Sequence, residues 1–257
     1  MNYFTSGIHG NIEVYRELKK LAADKDNHVW ILGDIFDGND ERPEACIEIL
    51  NDISRSSNIT LLLGDHEYYH ALRIMSREDP DRAENWTDLL QSMDVNGQPL
   101  MDYIDSLPEE DVDDIARVLC ETEVTEMVRI GDRLFYLCHG SPAIRTGSEG
   151  GNMNWQFNVV GSTIDPSLDY TLEMSSDLRI EYFQKNLSSI DFRKTIVITG
   201  HTSIEEMEDE DMRKMDGVYF ENKKFCLNQG YPQPDPSEWY VLCVDAGGFF
   251  TQTLGGD

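Results

Sequence analysis

His28-Val29-Trp30-Ile31-Leu32-Gly33-Asp34 is the stretch that decides the fold of this chain. A short apolar run ends in a small residue and then a charged one. A helix follows, starting near Pro43, a residue suited to the first helical turn. The same order occurs upstream, where Tyr3-Phe4-Thr5 leads into Ser6-Gly7-Ile8-His9-Gly10. The helix behind it begins at about Asn11, with Ile12, Tyr15, Leu18, Leu21 and Ala22 close to a 3.6-residue period. It occurs again downstream, where residues 59–63 lead into Gly64-Asp65-His66-Glu67 and a further helix. Strand, loop and helix repeated in this way predict parallel β pairing with helical crossovers. The loops after such strands are where α/β proteins gather their chemistry.

Farther along, residues 75–126 are acidic and helical in pattern, broken at Pro80, Asn96-Gly97, Pro99 and Pro108, and read as a helical insert beside the site. Its run Glu109-Glu110-Asp111 reads as a helix start, where carboxylates favour the helix dipole. Residues 133–137 then read as a strand delivering His139-Gly140, and residues 195–198 as one delivering Gly200-His201-Thr202. Residues 147–151 read as a flexible loop. Residues 218–254 read as short strands, with turns at Glu221-Asn222 and across 230–236. No internal repeat or linker interrupts the pattern, so one domain over residues 1–257 is expected.

Composition narrows the function. The 257 residues suffice for one large core, and 40% hydrophobic with 10% aromatic residues fits a globular chain. A net charge of −28 repels nucleic acid and anionic membranes, so neither is expected as a partner. It also slows phosphorylated substrates unless a bound cation reverses the local sign. Cys46, Cys120, Cys138, Cys226 and Cys243 are scattered and form no CxxC pair, which suits reduced core cysteines in a cytoplasmic protein. No signal peptide is expected from Met1-Asn2-Tyr3-Phe4-Thr5, and no run approaches the length of a membrane span.

The six histidines are the most informative residues. His28 begins a strand and reads as a surface or edge residue. His70, one turn after His66, reads as structural. The remaining histidines sit with glycines at the ends of apolar runs, as do Asp34 and Asp65. Imidazole and carboxylate are the usual ligands of zinc, manganese or iron. His9, Asp34, Asp65, His139 and His201 are therefore the candidate ligands for one or two divalent ions. Asp34 is the natural bridge of a pair. Two such ions can clamp a phosphoryl oxygen and lower the pKa of a shared water.

These motifs resemble the phosphoprotein phosphatase branch of the calcineurin-like metallophosphoesterases, which includes Ser/Thr phosphatases and diadenosine tetraphosphatases. The family order Asp-x-His-Gly, Gly-Asp-x-x-Asp-Arg-Gly, Gly-Asn-His-Glu, His-Gly and Gly-His is matched here across residues 4–202. The matching stretches are Gly7-Ile8-His9-Gly10, Gly33-Asp34-Ile35-Phe36-Asp37-Gly38, Gly64-Asp65-His66-Glu67, His139-Gly140 and Gly200-His201-Thr202. The closing Val244-Asp245-Ala246-Gly247-Gly248 is similar too. The resemblance implies an α/β (mixed α+β) fold of two packed mixed β-sheets flanked by helices. It implies that His9 and Asp34 serve one metal, and that Asp34, Asp65, His139 and His201 serve the other. His66 would be the general acid, oriented by Asp37.

The departures are specific. Gly7 stands where the family has aspartate, Asp65 where it has asparagine, and Gly38 where it has arginine. A second family arginine is absent near Asn154-Trp155-Gln156-Phe157, leaving Arg42 and Arg145 as candidate phosphate contacts. The expected activity is hydrolysis of a phosphomonoester, on a phosphoprotein or a small molecule, by a metal-activated water. A pseudophosphatase that binds a phosphorylated partner without turnover, and a catalyst for a nucleotide or other small phosphoester, stand as alternatives.

Overall fold

The computed structural model describes residues 1–39, 41–78, 98–140, 195–203, 214–215, 218–221, 224–228 and 235–255, with backbone alone at 76–78, 202–203, 214–215, 218–221, 224 and 228. Strands β1 (Asn2–Thr5), β2 (His28–Leu32) and β3 (Ile59–Leu62) pair in parallel, in keeping with the repeated strand-loop-helix pattern. Helix α1 (Ile12–Leu21) connects the first two and α2 (Glu44–Ile53) the next. Asn11 caps α1 by accepting from Val14 N–H at 3.1 Å, and Lys19 and Lys20 sit in its last turn, where the dipole favours cations. Helix α3 (Asp65–Glu78) follows β3, and α4 (Gln98–Ser106) and α5 (Glu109–Glu121) come next. The expected insert at 75–126 is thus helical where it is described, except that β4 (Thr125–Ile130) begins inside it; residues 79–97 lie outside the described set.

Strand β5 (Arg133–Cys138) pairs antiparallel with β4 and parallel with β6 (Thr195–Ser203). Then come β7 (Lys214–Met215), β8 (Val218–Glu221), β9 (Lys224–Asn228), β10 (Tyr240–Val244) and β11 (Phe249–Thr253). One mixed sheet has the order β11-β10-β1-β2-β3 and the other β4-β5-β6-β9-β8-β7. The turn expected at Glu221-Asn222 is bracketed by antiparallel β8 and β9, which pair Glu221 with Lys224.

Period-two alternation explains the layering. Along β2, Val29 and Ile31 belong to the core under the helices, with Val14, Leu18, Cys46 and Ile49. Leu32, pointing to the opposite face, joins Phe4, Leu62, Phe135, Leu137, Ile198 and Phe225 in the core between the sheets. Strands covered on both faces must be apolar almost throughout, which is why they read as continuous runs. Truncating Leu32 or Leu137 to alanine would cost about 2–5 kcal/mol, because each is wholly buried. Trp239 is also wholly buried and keeps its indole N–H satisfied on Thr5 Oγ1 at 2.9 Å.

Two expectations need correction. All five cysteines are free, but Cys120 is exposed on α5 rather than in the core, because it lies on the side of the helix away from the buried Ile115 and Leu119. His28 is neither exposed nor on an edge strand: β2 lies inside its sheet, and the half-buried imidazole bonds Thr60 Oγ1 at 2.9 Å beside Trp30. No helix among the described residues is long and apolar enough to cross a membrane.

Candidate metal centre

The loops at the carboxyl ends of β1 and β2 are laced together by their backbones. Gly7 N–H donates to Gly33 O at 3.1 Å, His9 N–H to Asp34 O at 2.8 Å and Gly10 N–H to Ile35 O at 2.8 Å. Gly200 N–H donates to His139 O at 2.8 Å, tying β6 to the end of β5. Gly33 has φ +82°, and a Cβ there would lie 2.6 Å from Gly64 Cα, so the β2 and β3 loops approach closely only because the residue is glycine. Among the described residues, the non-glycine residues with positive φ are His9 (41°), Asp34 (59°), Asp37 (63°) and His201 (40°). Each carries a cost of about 1–3 kcal/mol that the surrounding bonds must offset. All four were singled out from sequence as site residues.

His201 is not at a strand end, as expected from sequence, but inside β6. The register between β6 and β9 shifts between Thr199 and Ser203, and His201 sits at that irregularity. Bulges commonly re-aim a side chain in this way.

On one side of the centre, Asp34, Asp65, His139 and His201 bring one ligand atom each within 4.8 Å of one another. His139 Nε2 is 3.0 Å from Asp34 Oδ2 and 3.1 Å from Asp65 Oδ1, and His201 Nδ1 is 3.1 Å from the same Asp65 oxygen. His139 Nδ1 donates to Leu32 O, which fixes the tautomer and leaves Nε2 as the donor atom. Asp34 Oδ1 is buried and has no hydrogen-bond partner. A buried carboxylate oxygen without a donor is costly, and a cation is what would satisfy it. The oxygen-and-imidazole donor set fits a divalent ion of the manganese, iron or zinc type.

On the other side, His9, Asp34 and His66 form a second group within the same 4.8 Å limit. His9 Nδ1 donates to Phe36 O at 2.9 Å, and its Nε2 lies 3.9 Å from Asp34 Oδ2. His66 Nδ1 donates to Asp37 Oδ2 at 2.8 Å, while the buried His70 donates from Nε2 to Asp37 Oδ1 at 2.8 Å. Gly7 offers no side chain here. Gly38 has φ +75°, and a Cβ at that position would lie 2.8 Å from His9 Cβ. No side chain fits at position 38 unless His9 moves.

Charge is tightly balanced. Burial alone would raise the carboxyl groups of Asp34 and Asp65, yet His139 beside both, and His201 beside Asp65, hold them below the ordinary range. Burial would lower His139, but the two aspartates push it well above 6.5. His9, whose burial outweighs Asp34, is lowered. His66 is pushed up to about 10: burial opposes protonation, but Asp34, Asp37 and Asp65 outweigh it. Bound cations would take over the role these protons play.

Glu67 is the residue whose part could not be read from its motif. It is wholly buried, and its carboxylate accepts backbone N–H bonds from Asp34, Ile35 and Phe36 at 2.8 Å each and from Gly64 at 2.9 Å. Burial and then Asp34 push its carboxyl up to about 7, while the backbone donors pull it down. It holds the two loops that carry Asp34 and Asp65. The only sequence signal was its place beside His66. Of the candidate phosphate contacts, Arg42 is turned to Glu44 Oε1 at 3.3 Å and Glu48 Oε2 at 3.8 Å on the surface. Arg145, the loop at 147–151 and the Trp155 stretch lie outside the described residues.

The sequence model of the calcineurin-like phosphoesterase family matches residues 3–227. A search of the curated proteins returns no match. Among solved structures, a hypothetical protein from Pyrococcus horikoshii OT3 is similar at a TM-score of 0.50 and 15% identity, covering 100% of this chain and 89% of that one. A protein serine/threonine phosphatase from Saccharomyces cerevisiae gives 0.49 at 12% identity, covering 100% and 80%. A metallophosphoesterase from Sphaerobacter thermophilus gives 0.46 at 17% identity, covering 97% and 86%. At these identities the likeness concerns the fold alone.

Proposed function

The chain belongs to the calcineurin-like phosphoesterase family and is built as a metal-dependent phosphoesterase, and from that premise we propose that it hydrolyses a phosphomonoester at the centre around Asp34. The observation that carries the reading is Asp34 itself. It is shared by both histidine-bearing groups, and one of its oxygens is buried with no partner. Asp34, Asp65, His139 and His201 would hold one divalent ion, and His9 with Asp34 a second. When bound, manganese, iron or zinc would supply Lewis-acid clamping of the phosphoryl oxygens and an activated water. His66 donates its proton to the leaving oxygen. Asp37 orients it through the 2.8 Å bond to Nδ1, and His70 fixes Asp37 in turn. The substrate is a small phosphoester or a phosphoprotein, since a net charge of −28 disfavours long polyanions.

A second reading has its own support. With no carboxylate at Gly7 and no room for a side chain at Gly38, the His9 side is poor in charge and in phosphate contacts. A protein that binds a phosphorylated partner without turning it over would show these features.

The test is metal analysis of the purified protein together with hydrolysis of an activated aryl phosphate in Mn²⁺. The enzyme reading expects bound metal and a turnover that His66→Ala and Asp34→Asn abolish. Less than one equivalent of metal and no turnover across a range of ions would favour the binding protein. Turnover in the presence of a chelator would sink both.

A further inference from the structure

The structure assigns to Ser6 the part of a positioning residue: its side chain is the wedge between the two sheets that sets where His139 and His201 stand against Asp34 and Asp65. This rests on the metal-dependent reading of the centre and deepens it, by naming what holds the ligand set of the Asp65 side together.

The four candidate ligands of that side come from different sheets. Asp34 and Asp65 follow β2 and β3, whereas His139 follows β5 and His201 lies in β6. The spacing between the sheets at this point therefore decides whether all four can reach one ion. Ser6, directly after β1, is wholly buried there. Its O–H donates to Leu32 O at 2.7 Å. The same carbonyl accepts from His139 Nδ1, and Ser6 Oγ lies 3.4 Å from that nitrogen. Gly33 closes the enclosure, since a Cβ there would overlap His139 Nδ1. The opposite edge of the ring carries Nε2 to 3.0 Å from Asp34 Oδ2 and 3.1 Å from Asp65 Oδ1. A ring that grows from one sheet is thus located by residues of the other.

Ser6 also backs the second histidine. A Cβ added at Gly200 would overlap Ser6 Oγ and lie 2.7 Å from Ser6 Cβ, so glycine is what lets β6 come this close. Gly200 is tied on both sides, by its N–H to His139 O at 2.8 Å and by its O to Cys226 Sγ at 3.3 Å. His201 follows directly, with φ of 40° at the register shift of β6. Without the hydroxyl, His139 can slide along its bond to Leu32 O, and Gly200 can move into the space behind it. A metal site whose supports shift loses affinity although every ligand remains.

Metal-stripped protein would be titrated with Co²⁺, followed by calorimetry and by the visible absorption of the bound ion. The band positions and intensities report ligand geometry without any turnover. The Asp65 side offers two carboxylates and two histidines, and the other side one carboxylate, so the unmodified chain should bind a tight equivalent and a weak one. Ser6→Ala should weaken the tight one by about 10–100-fold and change its bands. Thr5→Val is the control. It removes another buried hydroxyl next to Ser6, the one that accepts from Trp239 Nε1 at 2.9 Å, and should leave affinity and bands as they are. The assignment is overturned if Ser6→Ala binds Co²⁺ as tightly as the parent with the same bands, or if Thr5→Val disturbs both as much. Should Ser6→Ala fail to fold, crystals of the Co²⁺-loaded parent decide. His139 should bond the ion while keeping its bond to Leu32 O beside Ser6, and a ring swung away from Ser6 overturns the assignment. If no phosphoester is cleaved but Ser6→Ala weakens the tight equivalent and changes its bands, the positioning role stands and the proposed activity falls. If the parent cleaves aryl phosphate and Ser6→Ala binds Co²⁺ indistinguishably, the activity stands and the positioning role falls. A parent that takes up no Co²⁺ sinks both.

Discussion

The Asp65 side and the His9 side of the centre share Asp34 but are built differently. On the Asp65 side, His139 lies 3.0 Å from Asp34 and 3.1 Å from Asp65, with His201 3.1 Å from the same Asp65 oxygen. On the His9 side, the nearest approach to Asp34 is 3.9 Å, and the position that could have brought a second carboxylate is Gly7. Both sides draw on loops that Glu67 holds together. Affinity should therefore differ between the sides, while geometry should fail on both together when the shared residues are lost.

Asp34→Asn should have the largest effect, because it strikes both sides. It should abolish metal binding and with it the metal-dependent turnover. Metal analysis and aryl phosphate kinetics would measure it. If one equivalent survived intact, Asp34 would not be the shared ligand. Glu67→Gln comes next. It leaves backbone donors from Asp34, Ile35, Phe36 and Gly64 facing an amide, at a cost of about 1–3 kcal/mol in urea unfolding. Mn²⁺ affinity should drop on both sides by about 10–100-fold. A loss confined to one side would show that Glu67 supports one loop and not the pair.

Restoring a carboxylate should narrow the difference. Gly7→Asp should strengthen the weak equivalent about tenfold, the scale of one metal contact; its φ of +68° is one that aspartate adopts more readily than most residues. Gly38→Arg should give no gain, since its Cβ would press on His9 at 2.8 Å, and the weak equivalent should be lost instead. Calorimetry on both variants would decide, and a gain from Gly38→Arg would mean that His9 moves easily.

A separate effect, which leaves the metal sites out, is on stability with pH in metal-free protein. His66 is pushed up to about 10 from an ordinary 6.5 by Asp34, Asp37 and Asp65, against its burial. Between those values the folded chain keeps a proton that the unfolded chain has released, so stability is full below 6.5 and declines as pH rises toward 10. Urea unfolding of His66→Gln should lack that part of the decline. Parallel curves for parent and variant would remove the carboxylate cluster as the cause.

Much of this could be read in the chain because it is written locally. Residues 28–32, 59–63 and 133–137 read as strands since both faces are covered over most of their length, and the glycine after Leu32 or Leu63 marks where the backbone turns toward the site. The helix after Asn11 shows its cap and its buried face within a few residues. Other features had no local signal. His28 looks like a strand-end residue until Thr60 arrives beside it from β3. Cys120 looks apolar until the helix is placed with Leu119 toward the core and Cys120 away from it. His201 reads as the residue after a strand, because a register shift against β9 cannot be seen in β6 alone.

By itself, the sequence determined the order of strands and helices and the set of histidines and aspartates at the ends of apolar runs, which follow from burial periodicity and turn residues acting between near neighbours; the mixed two-sheet fold was implied only by the resemblance of its motifs to the family. Only the tertiary structure decided that Asp34 keeps an unpartnered buried oxygen, that Glu67 ties the two loops together, and that His66 shares a locus with His9. The last two depend on hydrogen bonds between residues 27 to 32 positions apart, and the first on which groups the fold brings beside Asp34, so no short window of sequence contains the partners.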